Sequence, residues 1–327
     1  MKRMLVLLCA LLMLPIAPPG WAQSRSEVLV IGMAMGEVTS LDPARGFEVT
    51  GTGVMAQVYD RLLDFPAGRV DKPEASLAES WKVSADGLVW TFNLRKDVKF
   101  HSGNPLTADD VVYSIQRVLY LKDQPAFILT QFGLTPESVK AVDKHTVQIT
   151  LPNKFAGGLF LSCLSAALAS VVDSQVVKQH VAKTDKFPDG DFGAAWLGLN
   201  SAGSGPFILR KWERGDTTIL DANPSHFRFV PKVKRVIFKE IPEATSRRLQ
   251  VEKGDIDIAW QIASKASKPS FTSPELSVKH VTALFDQAFK ALHNSIEPPA
   301  GPASAPTSTS ERPMAMAANR LSSLSAP

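Results

Sequence analysis

Alternating apolar and polar positions predict a series of short strands along most of the chain. Residues 27–33 read as a buried strand, and residues 36–43 read as a strand followed by a turn. Residues 81–83 and 89–94 alternate in the same way, and Asp86-Gly87 supplies the positive φ that a hairpin turn between them requires. Further strands are predicted at residues 146–151, 207–211, 217–220, 233–240 and 256–258.

Helices are predicted where apolar residues recur every three or four positions. Apolar residues at i, i+4 and i+8 share one face of a helix over residues 51–63. Thr107 is placed to cap a second helix, and Asp110 three residues later completes a capping box. A third helix is predicted over residues 245–253, ending at Gly254. Strands and helices that mix in this way indicate an α/β (mixed α+β) fold.

The N-terminus has the order of a secretory signal. Lys2 and Arg3 precede an apolar run over residues 4–14, and small residues occupy positions 20 and 22. The run is too short to span a membrane, which requires about 20 apolar residues. We therefore expect residues 1–22 to be a signal peptide that is cut after Ala22, and the mature protein to be periplasmic.

Charge and cysteine content narrow the possible partners. The net charge is +4, and without Lys2 and Arg3 the excess falls to 4 − 2 = +2. Basic and acidic residues alternate along the chain, so no nucleic-acid partner is predicted. After cleavage one cysteine would remain, Cys163, whose apolar surroundings predict a buried and inert thiol.

The composition changes near residue 263. Residues 263–327 contain 12 Ser, 12 Ala and 8 Pro, and they contain no Trp or Tyr. A segment with few aromatic residues and many Ser and Pro residues cannot bury enough apolar surface to fold. We expect a largely disordered tail over this range.

No group of residues has the spacing of a catalytic or metal site. The six histidines are scattered and have no cysteine pair nearby, so no metal and no cofactor is predicted. Gly203-Ser204-Gly205 lacks the outer glycines of a hydrolase nucleophile elbow. Residues 51–56 match a relaxed dinucleotide fingerprint, but the residues before them are too polar and too few for the buried strand that the motif requires.

Several motifs follow one another in a fixed order between about residues 28 and 260. They are GEVTSLDP at 36–43, VYDRLL at 58–63, LAESW through SADGLVWTFNLR at 77–95, VKFHSG at 98–103, LTADDVVYS at 106–114, SAGSGPF at 201–207, WERG at 212–215, NP at 223–224 and KGDID at 253–257. In this order and spacing the chain resembles the extracellular solute-binding proteins of peptide-type ABC importers, the dipeptide/oligopeptide-binding family. Dipeptide-binding proteins are the members that it resembles most.

The resemblance implies a lobe of the periplasmic binding protein type II fold with an inserted second domain. The first domain would consist of residues 24–60 and 186–262, and the inserted second domain of residues 61–185. In the family a third domain follows and supplies most of the ligand pocket, whereas here residues 263–327 occupy its place. The resemblance therefore implies a receptor truncated at its C-terminal end, with a tail that is frame-shifted or unrelated, and with weak or absent ligand affinity.

The candidate ligand-binding residues are Glu37, Val38, Thr39 and Ser40. In the family the matching segment lies against the ligand and offers main-chain hydrogen bonds, as in strand addition. Glu37 could also attract a positive group of the ligand. An ordinary core strand and turn without ligand contacts is the alternative interpretation of this segment.

The function implied is that of a receptor without enzymatic activity. It would capture a small peptide, with dipeptides favoured, and deliver it as a monomer to an ABC permease in the inner membrane. Related receptors carry nickel, sugars or opines on the same fold, so the identity of the ligand stays open. The alternatives are an exported hydrolase that uses Ser204 and a degraded receptor that binds no ligand.

Overall fold

The computed structural model describes residues 27–66 and 71–260. The predicted signal peptide, its cleavage after Ala22 and the predicted tail over residues 263–327 lie outside the described residues. Helices and strands are mixed throughout the two described ranges, so the predicted fold class is confirmed.

The regular elements are short and numerous. The strands of the described ranges are β1 Val28–Met33, β2 Leu63–Asp64, β3 Glu74–Ala75, β4 Ala78–Val83, β5 Val89–Leu94, β6 Val139–Asp143, β7 Thr146–Thr150, β8 Phe207–Glu213, β9 Thr217–Ala222, β10 Arg235–Glu240 and β11 Ile258–Ala259. The α-helices of these ranges are α1 Val49–Val58, α2 Ala108–Leu121, α3 Phe127–Thr130, α4 Gly157–Cys163, α5 Ser174–Lys178, α6 Ala194–Leu197 and α7 Ala244–Lys253.

The two larger sheets are built from different parts of the chain, and β2 pairs with β3 in a separate two-stranded sheet. The first has the strand order β11-β1-β10-β9-β8, in which β1 runs parallel to β10 and β11 and the other neighbours are antiparallel. The second has the order β4-β5-β7-β6 and is antiparallel throughout. The first sheet therefore joins the start of the described chain to its end, and the second sheet is formed by residues between them.

Each of the two larger sheets has its own hydrophobic core, because alternate side chains of its strands point to one buried face. The larger buried side chains beside the second sheet are Phe92, Leu94, Ile115, Phe132 and Phe160. Those beside the first sheet are Met33, Met55, Tyr59, Phe207 and Phe238. Two cores are what an inserted second domain would produce, and the boundaries of the two domains stay a prediction.

Most of the predicted elements are present. Strand β4 pairs with β5 through a turn in which Gly87 has a φ of 80°. Thr107 and Asp110 form the predicted capping box at the start of α2, with the Thr107 N–H donating to the Asp110 carboxylate at 2.8 Å. Helix α7 ends at Gly254, whose φ is 75°.

Several predictions about local structure are wrong in detail. Helix α1 begins before residue 51 and ends at Val58, because the next residues are extended and Leu63 pairs with Ala75. The last short strand lies at Ile258–Ala259, where it pairs with β1. Cys163 is partly exposed, not buried, and the surrounding apolar atoms raise the pKa of its thiol.

The loop before β8 packs directly on the C-terminal end of α1. The Gly205 N–H donates to the Val58 carbonyl at 3.0 Å. A Cβ atom on Gly203 would lie 2.0 Å from the Val58 carbonyl oxygen, and one on Gly205 would lie 2.5 Å from the Val58 carbonyl carbon. Gly53, inside α1, has open space around it. Glycine is therefore required in the loop for close backbone packing. Helix α1 follows an irregular segment, so residues 51–56 lack the preceding strand that the dinucleotide motif requires.

We expect Gly203→Ala to lower the free energy of unfolding by at least about 2 kcal/mol, because the new methyl group overlaps a backbone carbonyl that cannot move aside. Gly53→Ala is the matched control and should raise the same quantity by about 0.5–1 kcal/mol, because alanine favours an exposed helix position. Urea unfolding followed by circular dichroism measures both changes. Equal stability of Gly203→Ala and the parent chain would contradict the packing argument.

Candidate functional site

The segment that follows β1 is irregular, so the strand predicted within residues 36–43 is wrong, whereas a turn follows at residues 43–45. No strand pairs with it in the part of the chain that the structure describes, and the Val38 N–H instead donates to the carbonyl three residues earlier at 2.9 Å. Exposure still alternates along the segment. Glu37 and Thr39 are exposed, whereas Val38 and Ser40 are buried. Such alternation is typical of an extended backbone.

Thr39 and Ser40 line an open cleft of about 620 Å³. The rest of its lining comes from four further places: the turn after Ser40, the chain just after α2, the α6 region and the β8–β9 turn. These lining residues are Arg45, Asp123, Gln124, Ala194, Ala195, Gly198, Leu199 and Arg214. The cleft therefore lies where segments attached to both sheets meet.

Two of the four predicted ligand-binding residues do not line this cleft. The side chain of Val38 belongs to the core beside the first sheet. The Glu37 carboxylate accepts a hydrogen bond from the Thr50 hydroxyl at 3.3 Å. The cleft thus brings together only the second half of the predicted segment.

Arg214 is a lining residue that the sequence analysis did not select. Its guanidinium donates to the Thr39 carbonyl oxygen and lies over the Trp212 ring, with 5.0 Å from Cζ to the ring centroid. The residue falls inside the WERG motif at 212–215, which was noted only as part of the family pattern. That motif was the one signal in the sequence that could have pointed to Arg214. Nothing in the sequence indicates that the turn between β8 and β9 approaches Thr39.

Two of the lining residues, Arg45 and Asp123, belong to a group of opposite charges. Arg45 Nε is 2.8 Å from Asp123 Oδ2, and Lys186 Nζ is 3.3 Å from Asp123 Oδ1. One carboxylate thus faces two cations. Sequence spacing could not reveal this group, because its three members are far apart along the chain.

A buried ion pair fixes the position of the cleft segment. Arg117 on α2 donates to both carboxylate oxygens of Asp42 at 2.7 Å, and both side chains are almost completely buried. Asp42 Oδ1 also accepts from the Ala44 N–H at 3.0 Å, and the Asp42 N–H donates to Ser40 Oγ at 3.1 Å. Burial alone would lower the pKa of Arg117, but Asp42 outweighs it and holds the pKa above its usual range.

Comparison of the sequence with family models assigns the chain to a family. The model for bacterial extracellular solute-binding proteins, family 5 Middle, matches residues 72–302, more than half of the chain. The chain belongs to this family of solute-binding proteins. Members of the family are binding proteins and not enzymes.

Individual relatives are similar to this chain in sequence and in fold. The probable D,D-dipeptide-binding periplasmic protein DdpA of Escherichia coli K12 is 38% identical over 268 residues, which cover 79% of this chain and 48% of DdpA. The solute-binding protein MoaA of A. tumefaciens R10, solved with mannopinic acid, superposes with a TM-score of 0.62 at 29% identity. The superposed region covers 71% of this chain and 44% of the MoaA chain. DppA of Helicobacter pylori, solved with the peptide STSA, superposes with a TM-score of 0.58 at 26% identity over 70% of this chain and 45% of its own. The chain spans about half the length of the curated relatives that it matches.

Ser204 of this solute-binding chain does not have the surroundings of a nucleophile. Its side chain is buried, and its hydroxyl donates to Asp60 Oδ2 at 2.8 Å. Burial by itself would raise the pKa of Asp60, but His226, Arg228 and the Ser204 hydroxyl together lower it to about 2. A carboxylate with so low a pKa is a poor base for a serine hydroxyl near neutral pH. The contact is therefore structural.

Metal binding finds no support in the described residues either. Within residues 27–66 and 71–260, no three His, Cys, Asp or Glu side chains are grouped so that they could hold a metal ion. His226 Nε2 lies 3.4 Å from Asp60 Oδ1, and Arg228 Nη2 lies 3.0 Å from the same oxygen. Side chains of the protein itself therefore satisfy the buried Asp60 carboxylate.

We expect Arg117→Met to lower the free energy of unfolding by about 3–5 kcal/mol, because it leaves the Asp42 carboxylate buried without a partner. Lys211→Met is the control, since Lys211 and Glu213 form an exposed pair that should contribute less than about 1 kcal/mol. Chemical denaturation of both variants gives the comparison. A similar, small loss in both would show that the buried pair is not essential.

We expect acid to destabilise the parent chain more than the variant Asp60→Asn, in which residue 60 cannot titrate. The pKa of Asp60 is lowered from 3.8 to about 2, so its contribution is complete above about pH 4 and is lost as the pH falls towards 2. The contribution corresponds to about 2 kcal/mol. Unfolding free energies at pH 5 and pH 2.5 should therefore differ less for Asp60→Asn than for the parent chain. Parallel acid dependence of the two proteins would contradict this assignment.

Proposed function

We propose that the chain is the ligand-binding part of a periplasmic receptor that captures small peptides for an ABC importer. The observation that carries the proposal is an extended segment with unused main-chain donors at the edge of the cleft. The backbone N–H groups of Thr39 and Ser40 form no hydrogen bond within the described residues. Such a segment can pair with the main chain of a peptide, as in strand addition.

The relatives support peptides as the ligand class. DdpA is named for D,D-dipeptides, and DppA of H. pylori was solved with a bound peptide. MoaA was solved with mannopinic acid, so the fold also serves other small polar ligands. Peptides are the proposal here because main-chain pairing needs a ligand with its own amide groups. Adjacent N–H groups of an extended segment point to opposite sides, so one of the two amides of Thr39 and Ser40 can pair with a given peptide strand.

The remaining parts of the proposal concern location and partners. The N-terminal signal would export the chain to the periplasm, and cleavage would follow Ala22. Residues 24–60 and 186–262 would form the first domain and residues 61–185 the second. The receptor would act as a monomer and pass its ligand to a permease in the inner membrane.

A peptide that binds should stabilise the purified chain, and the weak affinity implied by the family resemblance calls for high peptide concentrations in the test. A peptide present at 100 times its dissociation constant adds about 2.7 kcal/mol to the free energy of unfolding. Thermal unfolding with a panel of di- and tripeptides should therefore raise the midpoint for at least one member. Isothermal titration calorimetry of that peptide gives the affinity, and chromatography of the recovered peptide shows whether it is unchanged.

Two outcomes would contradict the proposal. If no peptide of the panel changes the midpoint, the peptide class is wrong, and a receptor that binds no ligand becomes the better reading. If the recovered peptide is cleaved in a reaction that Ser204→Ala abolishes, the alternative of an exported hydrolase is supported instead.

A further inference from the structure

Phe192, two residues before α6, has a backbone conformation that a phenylalanine seldom adopts. Its φ is 51°, in the left-handed region that favours glycine, and Gly193 after it has a φ of 69°. Among the described residues, one other non-glycine residue has a positive φ, Lys122 at the end of α2. A bulky residue stays in this region only where its surroundings hold it, and such residues are frequent at ligand sites.

Contacts of two kinds hold the turn at Phe192. The centroid of its ring lies 4.4 Å from that of the Tyr120 ring. The buried carboxylate of Asp191 accepts from the N–H groups of Gly193 and Ala195, each at 2.9 Å. Ring packing and a buried acceptor therefore fix the point from which α6 begins.

The turn directs the Phe192 carbonyl oxygen to Arg117. Arg117 Nε donates to this oxygen at 3.1 Å, while the two terminal nitrogens of the same guanidinium donate to Asp42 at 2.7 Å. One planar and buried group thus links the start of α6 to the segment that follows β1. A main-chain contact joins the same two segments, because the Leu41 N–H donates to the Gly198 carbonyl at 3.4 Å.

Both of the linked segments line the cleft. The segment after β1 contributes Thr39 and Ser40, and the α6 region contributes Ala194, Ala195, Gly198 and Leu199. The spacing between the two segments therefore affects which ligands can enter the cleft. A change of residue 192 to a right-handed or extended backbone would redirect the peptide groups on both sides of it, and its carbonyl would no longer reach Arg117.

We propose that Phe192 is a positioning residue for ligand binding in this cleft. Its left-handed backbone directs the carbonyl to Arg117 and thereby sets the spacing between the α6 region and the Thr39–Ser40 segment. The effect on binding rests on the proposed function, whereas the effect on spacing does not.

Two substitutions separate the backbone conformation of residue 192 from its ring. Phe192→Gly removes the ring and accepts a positive φ without strain. Phe192→Val keeps an apolar side chain, but a β-branched residue disfavours the left-handed region. Both variants lose the contact with Tyr120, so both should unfold at a lower temperature than the parent chain.

Peptide affinity should distinguish the two variants. The probe is the peptide that gives the largest midpoint shift in the panel of di- and tripeptides, and calorimetry measures its affinity. Phe192→Val should bind it about tenfold more weakly than the parent chain, and Phe192→Gly should stay within about threefold. Val147→Ala is the matched control, because it removes buried volume from the second core and should lower stability without changing the affinity.

A second readout needs no ligand. In ¹⁵N spectra the buried Arg117 Nε–H signal should keep its position in Phe192→Gly and Val147→Ala, and should shift or exchange faster in Phe192→Val. The amide signals of Leu41 and Gly198 should shift together with it, because they report the contact between the two segments.

Thermal unfolding shows whether each variant is folded. An unchanged Arg117 signal in Phe192→Val, or the same change in Phe192→Gly, would overturn the proposal. A loss of affinity in Val147→Ala equal to that in Phe192→Val would also overturn it, because the loss would then reflect stability alone. If no peptide binds the parent chain, the peptide class of the proposed function is refuted, and joint shifts of the Arg117, Leu41 and Gly198 signals still support the positioning role.

Discussion

The buried pair of Asp42 and Arg117 connects the two halves of the described structure. Asp42 follows the segment that leads away from the first sheet, and Arg117 lies on the long helix beside the second sheet. Two charges that are removed from water must be paired, so neither partner can move without a large loss of free energy. Asp42 also holds the turn around it, because its N–H donates to Ser40 Oγ and its carboxylate accepts from the Ala44 N–H. The cleft depends on this pair because Ser40 lies on its wall.

A second contact between separated segments acts through shape instead of charge. The Gly203–Gly205 loop lies on the end of α1, and side chains at these positions would overlap the Val58 backbone. The same loop carries Ser204, whose hydroxyl satisfies the buried carboxylate of Asp60. A site that resembles a nucleophile in sequence is thus a packing and hydrogen-bonding contact, which agrees with membership of a family of binding proteins.

Much of the local structure could be predicted from the sequence. The β4–β5 hairpin, the capping box at Thr107 and the end of α7 at Gly254 depend on residues that are neighbours in the chain. Their turns and caps use positive φ values or short side-chain hydrogen bonds, which few residue types provide. The order of the motifs also indicated the family, because each motif combines such local requirements in a characteristic spacing.

The tertiary structure alone decided which residues share the cleft. Thr39, Asp123 and Arg214 are far apart in the sequence, and no periodicity or motif predicts that a hairpin turn reaches the segment after β1. The segment at residues 36–43 has a strand-like pattern but no neighbouring strand among the described residues, and sheet hydrogen bonds require a partner. Burial of Val38 and Ser40 beside exposed Thr39 follows from packing against the first core. By itself, the sequence determined the elements and the family, while long-range packing and the pairing of buried charges determined the site.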